Sequence, residues 1–232
     1  MAEQKAASIR ARVRTEMVDE IKHVARRHLA ADGANLSLRA VARDLGMVSS
    51  AVYRYFASRD DLLTALILDA YNAMADAAER AEGAVPRGDL LGRWLAVAHG
   101  LRGWALAHPA EYALIYGSPV PGYAAPQDTV APSTRPVVLL GAILADAARA
   151  GLLTEPADPP LPATLAAEVR RIGEFTGAGV SDAVMARGLI AWTELFGAIS
   201  FELFGRINNT IAERDAWFEH QVRAMAAYTG VR

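Results

Sequence analysis

Apolar residues in this chain recur at steps of three and four from one end to the other, and no stretch shows the β-branched alternation of a strand. That periodicity predicts an all-α fold. The first clear stripe is Met17, Ile21, Val24 and His28/Leu29, ended by "ADG" with Gly33 as the stop. Ser37 is placed to cap a second, short helix with Leu38, Val41 and Leu45 turned inward and Gly46 closing it. The stretch 47–56, "MVSSAVYRYF", follows as a third helix. Ser58 with Asp61 three residues on fits a capping box that opens a long fourth helix through Leu62, Leu63, Leu66 and Ile67 toward Ala81.

After the break "EGAVPRGD" the pattern resumes over roughly 89–107 with Leu91, Trp94, Leu95, Ala98, Leu101 and Trp104, and Pro109 opens another helix through "AEYALIYG". The five prolines of "GSPVPGYAAPQDTVAPSTRP" predict an irregular segment, of a length at which loops serve as lids or stay disordered. A helix over 137–150, the proline cluster "EPADPPLP" and a helix over 163–173 come next. Ser181 is a cap for "DAVMARGLIAWTELFGAISFELFG". One face of that helix reads Met185, Leu189, Trp192, Phe196, Ile199, Leu203; another reads Ile190, Thr193, Gly197, Phe201, Phe204. Two apolar faces need two packing partners. One is the chain's own core; the other is the same helix of a second subunit, which small Gly197 and Ala198 let approach, or more of the same chain. A last helix, Glu213 to Tyr228 with Trp217, Phe218 and Met225, completes a four-helix interface by symmetry.

A length of 232 residues predicts a small module joined to a larger one. The formal net charge is only −2, but it is unevenly spread. Residues 1–60 hold eleven Lys/Arg against seven Asp/Glu, and residues 61–232 hold thirteen against nineteen. Before position 15, Lys5, Arg10, Arg12 and Arg14 face one acid, Glu3. A basic end on an acidic body is the profile of a nucleic-acid-binding protein, and a solvated tail shares it. Without cysteine there are no disulfides or thiolate metal sites. No signal peptide is expected, and the run "PVVLLGAILADAARAGLL" is broken by Asp146 and Arg149, so no membrane is implied and a cytoplasmic location is expected. His99, His108 and Glu111 lack the H-E-x-x-H spacing, there is no G-x-S-x-G, and "GAGVSD" lacks the third glycine of a dinucleotide fold. The expectation is a non-enzyme with no cofactor and no metal.

The second and third helices with their glycine turn form a helix-turn-helix plan, in which the second helix lies in the major groove. This explains why "MVSSAVYRYF" carries so many polar tips when only Val52 and Phe56 turn inward. Ser49, Ser50 and Ala51 are small enough for the helix N-terminus to approach base edges, while Tyr53, Arg54 and Tyr55 bring hydroxyl and guanidinium donors.

With those residues in place, "IKHVARRHLAADGANLSLRAVARDLGMVSSAVYRYFASRDDLL", residues 21–63, resembles the DNA-binding domain of the TetR family of bacterial repressors. The likeness runs through the first-helix alanine and "DG", "AVARDLGM", the "VYRYF" signature and "SRDDLL". "WLAVAHGLRGWALAHPAEYALIYG" resembles the subgroup with a tryptophan-histidine-glycine type C-terminal domain, and "AWTELFGAISFELFG" is similar to its dimerisation helix. Two positions depart from the family pattern. Val48 stands where a capping Ser or Thr is usual, leaving Ser49 as an alternative cap one residue late, and Arg59 stands where lysine is usual.

The resemblance implies a domain at 1–58 that binds double-stranded operator DNA and a ligand-binding and dimerisation domain at 59–232. By motif position it assigns phosphate contact to Ser37, Arg39, Tyr53 and Arg59, and groove contact to Ser49, Ser50, Ala51, Arg54 and Tyr55. Arg10, Arg12 and Arg14 form a basic arm toward the backbone or minor groove. It further implies a homodimer released by a small-molecule effector. Residues where aromatic and polar tips mingle, Trp94, His99, Trp104, Tyr112, Tyr116, Phe175 and Trp192, are the candidate ligand lining, with Tyr123 closing over them. A helix-turn-helix regulator that needs no small molecule stays open as the alternative.

Overall fold

The computed structural model describes residues 2–32, 36–157 and 159–231. They are all-helical apart from one isolated antiparallel bridge between Leu153 and Val231. The helices are α1 (Ala2–Asp32), α2 (Leu38–Asp44), α3 (Ser49–Val52), α4 (Arg59–Gly83), α5 (Leu90–Ala107), α6 (Pro109–Tyr116), α7 (Val130–Arg149), α8 (Ala163–Thr176), α9 (Asp182–Leu203) and α10 (Arg214–Thr229). Gly33, expected to stop the first helix, lies outside the described residues.

The chain divides into two compact units, residues 1–71 with 108–129, and residues 72–107 with 130–232. The first is larger than the expected 1–58 segment. Its core joins Ile21, Val24, Ala25 and Leu29 of α1 to Val41 of α2, Val52, Phe56 and Leu62, Leu63 and Leu66 of α4. Val120, from the proline-rich segment, is part of that same core, and Ala110, Leu114 and Tyr123 pack against it. The three helices of a helix-turn-helix are too small to bury much area alone, so the start of α4, α6 and this loop complete the core.

In the second unit α5, α7, α9 and α10 bury Trp94, Val97, Leu101, Ile143, Leu144, Leu195, Ile199, Phe218 and Val222. Gly100 of α5 sits where an added Cβ would lie 2.9 Å from the Ala77 carbonyl and 3.0 Å from the Ala78 Cα, so the α4–α5 crossing depends on a missing side chain. The stretches Gln127–Arg149 and Asp182–Leu203 are long and apolar enough, by length and composition, to cross a membrane. Asp146, which interrupts the first, accepts from Arg87 and from buried Arg93 (2.7 Å).

Two features differ from the sequence expectation. The basic N-terminal residues, expected as an arm ahead of the first helix, are part of it: Arg10, Arg12 and Arg14 lie within the 31-residue α1, because "AEQKAASIRARVR" is rich in good helix formers. The proline-rich segment is only partly irregular, since α7 starts at Val130 and contains Pro132 and Pro136. Pro132 falls in the first turn, where an N–H has no intrahelical acceptor to lose. Pro136 lies inside the helix and has no N–H to offer the Pro132 carbonyl one turn back, while the Ser133 and Thr134 hydroxyls donate to the Val130 carbonyl at 2.9 and 3.0 Å.

Candidate nucleic-acid interface

Local chemistry fixes α2 and the turn after it. Ser37 caps α2, its hydroxyl accepting from the Ala40 amide at 3.4 Å. At the other end Met47 N–H donates to the Ala42 carbonyl and Gly46 N–H to the Arg43 carbonyl, the pairing of a Schellman stop, with Gly46 at φ 66°. Few residues other than glycine tolerate that left-handed backbone. The chain reverses there and enters α3.

The third helix is a single turn, Ser49–Val52, and residues 53–55 continue it as a turn. It begins at Ser49, with Val48 in the capping position and no side-chain cap, so Ser49 does not take over as a late cap. Val52 and Phe56 hold it to the core. Ser50, Tyr53 and Arg54 are exposed, and Ser49, Ala51 and Tyr55 are half-buried. Val48 is 71% exposed, an apolar tip beside the polar ones that sequence reasoning noted only as a missing cap.

Around this segment, Ser37 and Arg39 are exposed at the start of α2. Arg59 is half-buried and its Nε donates to the Leu36 carbonyl at 3.1 Å, while the Ser58 hydroxyl accepts from the Asp61 amide at 3.1 Å as the capping box requires. Arg10 and Arg12 are exposed on α1, Arg12 lying 3.4 Å from Glu16. Arg14 reaches from α1 to the carbonyl of Arg54 and over the ring of Tyr55. Sequence reading missed the ties that frame the unit: Lys22 and Arg26 on Asp69 at 3.0 and 2.6 Å, and His28 paired with Asp44 at 2.8 Å. The only signal was spacing, Lys22 and Arg26 standing one turn apart on α1.

The residues expected to line a ligand pocket fall in both units. In the first, Tyr112 is buried and stacks near Tyr116 with centroids 5.1 Å apart, Tyr116 meets Tyr71 edge-on at 6.3 Å, and the Tyr123 and Thr64 hydroxyls pair at 2.9 Å. Burial, together with the neighbouring Tyr71 and Tyr112, pushes the Tyr116 hydroxyl far above its ordinary range. In the second, Trp94 and Trp104 are core residues at 2% and 7% exposure, and Trp192 meets Phe196 edge-on. His99 pairs with Glu219 at 2.7 Å, and Phe175 is exposed. The hydrogen bond from His99, with help from Arg223 and against desolvation, holds Glu219 below the usual carboxylate range. A cleft of about 260 Å³ lies along α7 against Glu79 of α4, lined by Arg135, Val138 and Leu139 among others. Arg135 there donates to Glu79 and Asp76, each at 2.6 Å.

A capped helix, a glycine turn and a core-anchored helical turn that presents hydroxyls and a guanidinium to solvent define a helix-turn-helix DNA-binding protein. Residues 21–66 match the family described as bacterial regulatory proteins, tetR family, and residues 94–225 match the tetracyclin repressor-like, C-terminal domain. The chain is 40% identical over 219 residues to the HTH-type transcriptional regulators Rv1816 of Mycobacterium tuberculosis and Mb1846 of Mycobacterium bovis, covering 92% of this chain and 92% of each relative. The solved structure of the regulatory protein SCO4313 is 32% identical with a TM-score of 0.76, covering 94% of this chain and 98% of that one. The TetR family regulator PfmR of Thermus thermophilus, 17% identical with a TM-score of 0.59 over 88% of this chain and 97% of that one, shares the fold. The chain belongs to the TetR family of bacterial transcriptional regulators, and it is not an enzyme.

Proposed function

We propose that this chain is a cytoplasmic, ligand-responsive repressor that grips a near-palindromic operator as a homodimer and releases it when a small molecule binds. The observation that carries the DNA part is the outward set on α3 and its following turn. Ser49, Ser50, Ala51, Arg54 and Tyr55 face the groove, while Ser37, Arg39, Tyr53 and Arg59 meet phosphate, flanked by Arg10 and Arg12. Val48 adds an apolar tip suited to a thymine methyl. No membrane takes part.

Support for the homodimer comes from the second face of α9. Ile190, Phe201 and Phe204 are exposed there, as are Trp217 and Tyr228 of α10, and Gly197 opens onto free space. Apolar exposure of this extent marks an interaction surface. A two-fold copy would bury it and set two α3 segments one helical turn of DNA apart.

The effector reading keeps two separate sets of candidate lining for an apolar or aromatic molecule with a few polar groups: Tyr112, Tyr116 and Tyr123 in the first unit, and Trp94, His99, Trp104, Phe175 and Trp192 in the second. Such a molecule acts only through its different affinity for the DNA-competent and DNA-incompetent states, a coupling of about 1–3 kcal/mol. A second reading, a regulator needing no small molecule, is favoured by one observation: Trp94 and Trp104 are tightly buried in the core. Selecting bound fragments from the parent genome tests both. The first reading expects a palindrome, with release of the bound duplex by molecules of the class that neighbouring genes handle; binding that no such molecule loosens supports the second.

A further inference from the structure

The recognition segment has little support of its own. Its helix is one turn long with no side-chain cap, and its core anchors, Val52 and Phe56, lie one turn apart on the same side. The amides of Arg54, Tyr55 and Phe56 close the following turn on the carbonyls of Ala51 and Val52. The Arg54 carbonyl, at the trailing end, takes a different donor. Arg14 Nη2 donates to it at 3.4 Å and Nη1 at 3.5 Å, and the Arg14 guanidinium carbon stands 5.2 Å from the centroid of the Tyr55 ring. Arg14 is itself firmly seated, because Met17, Val18 and Ile21, within the next two turns of α1, pack into the core of the same unit.

The geometry points to Arg14 as a positioning residue: it fixes the turn 53–55, and so the aim of Tyr53 and Arg54, instead of touching DNA. This rests on the DNA-binding reading above and sharpens it. The trailing carbonyls of a helical turn have no following amide within it, so a cationic donor beside one is favoured. A planar guanidinium offers two N–H groups to one oxygen while its face lies over an aromatic ring, an arrangement the single ammonium of lysine does not reproduce. Nη1 and Nη2 are thereby both directed at the Arg54 carbonyl. The contacts are long and exposed, so the expected effect on operator affinity is modest, about three- to tenfold.

Salt dependence separates positioning from phosphate contact, because each phosphate neutralised adds about 0.9 to the slope of log affinity against log salt. Anisotropy titrations of a genome-selected operator duplex and a scrambled duplex, between about 50 and 200 mM salt, compare wild type, Arg14→Ala and Arg14→Lys. Far-UV circular dichroism checks folding, and Arg14→Gln replaces Arg14→Ala if the latter melts. The inference expects Arg14→Ala to weaken operator binding about three- to tenfold, to leave scrambled-duplex binding and the slope unchanged, and to gain little from lysine. It is overturned by unchanged operator affinity, or by a slope shallower by about 0.9 with both duplexes weakened alike and lysine restoring them. In either case the DNA-binding reading survives. Wild type ignoring both duplexes at low salt overturns that reading and the inference together.

Discussion

Tyr53 and Arg54 are exposed on a segment whose neighbours Val52 and Phe56 are buried, so they can be removed without opening the core. The double variant Tyr53→Ala, Arg54→Ala is expected to fold normally and to lose at least about tenfold in operator affinity, since one good base contact is worth about 1–3 kcal/mol. Equilibrium titration of the operator reads this directly. Buried ions behave differently. Arg93 is 0% exposed, and its Nε donates to Glu82 at 2.6 Å. Glu82→Ala leaves that charge short of a partner and is expected to cost about 3 kcal/mol in denaturant unfolding. Its other partner, Asp146, is held below the ordinary carboxylate value: burial opposes this, but the hydrogen bond from Arg93 and the charges of Arg87, Arg93 and Arg149 outweigh it. A depressed folded-state value means that the stabilisation is complete above the ordinary value and fades as pH falls through the folded one. Unfolding midpoints measured from neutral to acid pH should therefore drop below about pH 4, and Asp146→Asn should flatten that drop while lowering stability at neutral pH. None of these ion pairs could be read from sequence, because Arg93 and Asp146 lie 53 residues apart and meet only once α5 and α7 pack.

Helix identity was legible because each element carries its own signals. Ser37, Ser58 and Ser181 cap as their spacing predicts, each hydroxyl accepting an amide three residues on. α5 and α10 fall within a residue of the expected bounds. Boundaries failed where proline reads as a stop: α7 begins at Val130 instead of 137, taking Pro132 in its first turn, where no intrahelical bond is lost, and Pro136 inside the helix, where one is. The two-faced α9 was also readable, Met185, Phe196 and Ile199 being buried and Ile190, Phe201 and Phe204 exposed. What covers the exposed face is a question the sequence raises and a size measurement answers. Phe201 is 58% exposed, so Phe201→Asp should leave the melting curve of the single chain intact yet shift the light-scattering mass from two chains to one. At the α4–α5 crossing, Gly100→Val would drive side-chain atoms into the backbone of Ala77 and Ala78 and is expected to cost about 1–3 kcal/mol, read as a lower denaturant midpoint.

At the scale of the whole molecule, the helix-turn-helix was legible because its chemistry is local: a cap, a left-handed glycine and inward residues at helical spacing within 20 positions. The lining of the proposed effector site was not legible in the same way, because aromatic residues at helical spacing serve cores and pockets alike. Trp94 and Trp104 went to the core, and Tyr112, Tyr116 and Tyr123 joined the unit that holds the helix-turn-helix. The membership of residues 108–129 in that unit was hidden for the same reason, since Val120 reads as an isolated apolar residue among prolines until the core of α1, α2 and α4 closes around it. The central claim is that two copies of the α3 segment read two successive major grooves at once. Hydroxyl-radical footprinting of the wild-type protein on its genome-selected duplex tests it most directly. The account predicts two protected patches related by a two-fold axis, with centres about 34–36 Å apart along the DNA; a single patch, or none under low salt, contradicts it.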